Sequence, residues 1–97
     1  MTTRNHGTFY KDTWGFKIII AFPSDISDSL SSEVLVRKPN DSILTRSASL
    51  EDNYRISYLV EDGLLDIIGN YKIQVVLYFD NSKVKGSVFS FLVKEGI

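Results

Sequence analysis

The chain of 97 residues contains no cysteine, which excludes disulfides, thiolate metal sites and cysteine nucleophiles. It has one histidine, His6, in a polar N-terminal segment. A lone histidine there reads as a solvated side chain rather than a ligand or base. With that inventory a zinc site would need three carboxylates, a set zinc seldom uses. Charge of one sign is missing too: eleven basic against twelve acidic residues leave a net charge of -1. So even a balance offers no field toward phosphate backbones, and no nucleic-acid partner is expected. The longest apolar run, IIIAF at 18–22, is far too short to cross a bilayer, and no membrane partner is expected. The opening MTTRNHGTFYKD lacks the apolar core of a signal peptide, which places synthesis in a cytoplasm.

Chemical motifs are equally scarce. There is no Gly-rich phosphate loop and no G-x-S-x-G elbow, and none of the serines has an evident base. Asp25 and Asp28 lie in a Ser- and Asp-rich stretch. Their spacing fits a solvated loop or a helix cap better than a hard-cation site. No catalytic residue, metal ligand or cofactor is expected, and the chain reads as a non-enzyme.

What is present is a period of two. Hydrophobic residues make up 43% of the chain, enough for one domain with one core. Alternation marks six strands at about 14–22, 32–38, 42–49, 53–60, 70–80 and 83–94, with a shorter seventh at 7–11. Residues 1–8 are expected as a mobile arm, with Thr2 to Phe9 able to order on a neighbour. No window supports an amphipathic helix of three turns. KPND (38–41) and DNS (80–82) carry turn chemistry. PSDISDSLSS (23–32) is either a loop or a single capped helical turn. EDGLLDIIG (61–69) has apolar residues of its own and should pack over one end of the core. Strands at this spacing predict an all-β fold, an antiparallel immunoglobulin-like β-sandwich of six to seven strands.

Two aromatic residues sharpen that expectation. In DIIGNYKI, Gly69 and Asp66 precede Tyr71, much as a small and an acidic residue precede the tyrosine that pins a corner in immunoglobulin-type sandwiches. Tyr71 either forms that corner or simply packs its ring. Trp14 shares a face with Phe16, Ile18 and Ile20, so it is expected in the core. The competing reading makes Trp14, with Tyr10, a ligand platform.

One excess asks for a partner. Several strands carry apolar residues on both faces, whereas a free sandwich needs one buried face per strand. Leu35, Leu59, Val76, Tyr78, Val88 and Leu92 are the candidate protein-interface residues. The alternative is that the connections at 23–32 and 61–69 fold over those faces.

Three segments carry a resemblance: VRKPNDSIL with its Pro-containing turn, YRISYLV, and GLLDIIGNYKIQVVLYF followed by SVFSFLV. In this order, over most of residues 14–94, the chain resembles the N-terminal immunoglobulin-like domain of bacteriophage baseplate upper proteins. Asn40-Asp41 departs from the Asp-Gly of that family's turn. A chain consisting of the domain alone implies a small virion component of baseplate, connector, collar or capsid decoration. The implied partners are other virion proteins and further copies of itself, as a homo-oligomer or multi-copy assembly located in the virion. The alternative function is a module recognising host-surface carbohydrate or protein.

Overall fold

The structure, a computed structural model, describes residues 7–97. Seven strands form: β1 (Thr8–Tyr10), β2 (Lys17–Ala21), β3 (Ser31–Arg37), β4 (Ile43–Asp52), β5 (Arg55–Leu59), β6 (Gly69–Tyr78) and β7 (Lys83–Lys94). All six expected strands and the short seventh are present, and their order across the sheet is β1-β7-β6-β3-β4-β5-β2. Every pairing is antiparallel except β1 with β7, which is parallel.

The curl of this sheet into a sandwich follows from β4. Ile43 to Ala48 pair with β3, while Ser49 to Asp52 pair with β5 across an irregularity between Leu50 and Asp52. One ten-residue strand therefore belongs to both layers. Irregularities of this kind bend a strand and increase its twist.

Alternation then decides what is buried. Val34 and Val36 of β3, Tyr71, Ile73, Val75 and Leu77 of β6, and Phe91 and Val93 of β7 point inward. They meet Ile18 and Ile20 of β2 and Ile56 and Tyr58 of β5. Leu64 and Leu65 of the 61–69 connection close one end of this core, as their apolar character predicts. At the same end the rings of Phe9, Phe16, Phe91 and Tyr71 pack with centroids 4.8–5.3 Å apart.

The turns use the expected chemistry. Asp41 takes a positive φ of 69° in the 38–41 turn, the slot a glycine fills most easily. Asn40 Oδ1 accepts from the Ser42 N–H and hydroxyl. In the β6–β7 hairpin the Phe79 N–H donates to Ser82 O at 2.8 Å. Of the 23–32 segment, residues 23–30 are a loop held by Ile26, whose side chain is buried and whose N–H donates to Asn53 O, while Ser31 and Ser32 open β3.

Two expectations change. Trp14 is 59% exposed and precedes β2 rather than joining it. Gly15, at φ 86°, breaks the alternation between Trp14 and Phe16, so Trp14 does not share the core face. Gly7 and Thr8 do not belong to an arm: the Leu92 N–H donates to Gly7 O, and Thr8 pairs with Leu92. The rest of the expected arm, with His6, lies outside the described residues.

Candidate binding surfaces

The outer face of the β4-β3-β6-β7 layer spans four paired strands. Register places Thr45, Leu35, Gln74 and Val88 in one row across it, and Ile43, Arg37, Lys72 and Ser90 in the next. Between these rows lies a shallow hollow of about 420 Å³ lined by Leu35, Arg37, Ile43, Lys72, Gln74 and Val88. Val88 is 56% exposed and Ile43 54%. Two cations, Arg37 and Lys72, line the hollow. Lys83, Lys85 and Lys94 lie farther along β7 on this face, and Glu33, in the row of Val76, is its one strand carboxylate. None of the five pairs with a carboxylate among the described residues.

The six expected interface residues divide. Leu35 and Val88 line the hollow, and Tyr78 and Leu92 sit half-buried on the same face. Leu59 is exposed but lies on the other layer, beside Lys17. Val76 is only 2% exposed and offers nothing to a partner. It sits between Glu33 and Lys85 in its cross-strand row, and the adjacent Tyr78 hydroxyl reaches Glu33 Oε1 at 2.8 Å. Longer neighbours thus enclose the short valine. Ile43, Arg37, Lys72 and Gln74 were not among the expected contacts. Ile43 adjoins Leu44, and two consecutive apolar residues leave the facing of β4 undecided in sequence.

Along β7 the alternation is interrupted. Gln74 pairs with Val88 but Val76 pairs with Lys85, so a two-residue step on β6 faces a three-residue step on β7. The bulge lies at Gly86 and Ser87. The Gln74 amide donates to Gly86 O at 2.8 Å, which satisfies a carbonyl the ladder leaves free.

The polar groups inside the fold have structural partners. Tyr71, fully buried, accepts from the Ile67 N–H at 3.1 Å and lies 3.0 Å from Ile67 O and 3.2 Å from Leu64 O. This is the corner, made to backbone four and seven residues upstream. Asp66 takes no part in it and pairs with Lys38, whose ammonium holds the Asp66 carboxyl below its ordinary range. Glu61 accepts from Arg46 Nε and from the Tyr58 hydroxyl, each at 2.8 Å. The Arg46 bond pulls the Glu61 carboxyl down, while burial, then the Glu61 bond, pushes the Tyr58 phenol up.

Asp25 Oδ1 accepts the Ser27 N–H at 2.8 Å, a local turn bond. Among the described residues no group of three or more His, Cys, Asp or Glu side chains is placed to hold a metal ion. No helix there is long and apolar enough to cross a membrane.

No protein-family model and no curated protein matches the chain. A solved structure does: CopC from Methylosinus trichosporium OB3b, with a TM-score of 0.69 and 9% sequence identity, over 100% of this chain and 93% of CopC. That likeness establishes the sandwich fold. It also corrects the resemblance to phage baseplate proteins, because the match is a CopC sandwich and nothing supports phage. The turn at Pro39, the Gly-x-Tyr entry into β6 and the two-sided final hairpin are features of the architecture, so they do not mark that one family. The virion function and the virion location fall with the resemblance.

Proposed function

We propose that this chain is a non-enzymatic interaction domain that associates with further copies of itself through the outer face of the β4-β3-β6-β7 layer. The observation that supports the reading is an apolar hollow around Leu35, Ile43 and Val88 bordered by unpaired cations. Apolar side chains in the centre of a polar rim are the arrangement of a protein interface. Stacking aromatics, which a nucleic-acid platform uses, do not line the hollow.

The choice of a second copy rests on charge. With a net charge of -1, a basic face requires an acidic complement elsewhere on the same chain. Asp12, Asp25, Asp28 and Asp62 supply it: they are exposed in the connections and pair with no cation among the described residues. Contact between the basic face of one copy and the acidic connections of another is heterologous, and such contacts build rings or open chains.

The CopC likeness raises a metal-centred reading. It brings the fold at 9% identity, and the described residues gather no ligand set to go with it.

Sedimentation velocity over a concentration series tests the proposal. The chain should associate as concentration rises, and less so in high salt, because exposed charge pairs are screened. Ile43→Asp combined with Val88→Asp should raise the dissociation constant at least about tenfold, the equivalent of ~1.4 kcal/mol. Association that ignores both substitutions overturns the assignment of the face.

A further inference from the structure

The two layers meet at an unfinished seam. β2 ends the strand order and pairs only with β5. The Val60 N–H donates to Phe16 O, and the Phe22 N–H donates to Tyr54 O. Antiparallel ladders alternate, so the backbone groups of Ile18 and Ile20 also face β5, and those of Lys17, Ile19 and Ala21 face away. Among the described residues no strand receives these outward N–H and C=O groups.

The interior beside this edge is incompletely filled. An open cleft of about 380 Å³ runs between the end of β2 and the first half of β7, with Ile20, Phe22, Val75, Val84 and Phe89 as its apolar lining. Lys85 lies at its rim, exposed and without an ion pair among the described residues. The cleft continues the core, since Ile20 and Val75 are buried members of it.

The two edges that border the seam are not equivalent. That of β7 carries Lys83 and Lys85 and the bulge at Gly86, devices that discourage strand addition. That of β2 carries one charge, Lys17 at its start, then runs from Ile18 to Phe22 with no charge and no bulge, and ends at Pro23. An edge that is uncharged over most of its length and free of bulges is a template for another strand.

We infer that β2 accepts an extended segment of a partner polypeptide, with apolar side chains at alternate positions and a carboxylate beside them. Outward groups on Lys17, Ile19 and Ala21 require a strand rather than a helix or a small molecule. Side chains alternate across an added strand, so every second one enters the cleft above Ile20 and Phe89. The carboxylate meets Lys85. The segment spans roughly five residues, ~17 Å, because Pro23 ends the edge. The cleft shares β7 and Lys85 with the layer proposed for self-association, but the β2 edge belongs to the other layer, so protection of its amides reports this inference alone.

The test is amide hydrogen exchange by NMR on the full chain. The probe is a short capped peptide of alternating valine and threonine ending in glutamate. In the free chain the amides of Lys17, Ile19 and Ala21 should exchange fast. At peptide saturation they should slow at least about tenfold, since exchange reports local hydrogen bonding. The same peptide N-methylated at alternate residues should bind at least about tenfold more weakly, for lack of the donors that pair with β2. Ile19→Pro should abolish protection at Ala21, and Lys85→Glu should reverse the preference to a peptide ending in lysine. Slow exchange of the three amides in the free chain overturns the inference, because the edge is then occupied by the chain itself. So does binding that leaves them fast, or equal binding of the N-methylated peptide.

Discussion

Tyr71 shows how much one hydroxyl does in this fold. Its ring is buried against Phe91 and its oxygen meets the backbone of Leu64 and Ile67. Tyr71→Phe keeps the ring and strands those backbone groups, a cost of about 1–3 kcal/mol. For a domain of this size that is a fall in Tm of roughly 4–8 °C per kcal/mol, readable by calorimetry. Glu61 gives a pH-dependent counterpart. Its carboxyl is held low, chiefly by the Arg46 bond. Its stabilisation is therefore present above the unfolded-state pKa and is lost as pH falls through the lower folded value. Arg46 and Glu61 are both partly exposed, so the contribution is at most about 1 kcal/mol. The advantage of the native chain over Glu61→Gln should be present at pH 7 and vanish in acid, as urea titrations across pH would report.

Among the elements, β6 depends on its entrance. Gly69 has φ 137°, and a Cβ there would lie 2.9 Å from Pro39 Cβ. Gly63 has φ 91°, and its Cβ would meet nothing within 4 Å. Gly69→Ala should thus cost about 1–3 kcal/mol more than Gly63→Ala, because backbone strain is joined by a clash with the 38–41 turn. Chemical denaturation of the two variants measures the difference. Strand positions were legible because most strands bury one face wholly or in part, and alternation records that directly. Gly-x-Tyr at 69–71 left the corner open against a simply packed ring, and the bonds of the Tyr71 hydroxyl to Leu64 and Ile67 decide it. Trp14 was misplaced because a glycine at positive φ cuts the period without changing the apolar pattern on either side. Nor does the sequence display the bulge at Gly86 or the division of β4 between two layers, since both depend on pairing between distant segments.

For the whole molecule, the apolar excess pointed to a second contact surface, and Leu35 and Val88 do line an exposed hollow. The residues around them were not legible. Which cations border that hollow depends on the β3–β4 and β6–β7 registers, and Val76 is enclosed by neighbours that are remote in sequence. The near-zero net charge concealed a division between a basic sheet face and acidic connections. Composition sums over the surface; only the fold reveals the separation. The phage resemblance misled because the features it used belong to the sandwich itself. Self-association through the basic face is the central claim, and sedimentation velocity of the native chain beside Ile43→Asp/Val88→Asp tests it most directly. The account predicts species larger than one chain that dissolve in high salt and in the variant. A native chain that stays monomeric up to about millimolar concentration, the weak end of specific association, would contradict it.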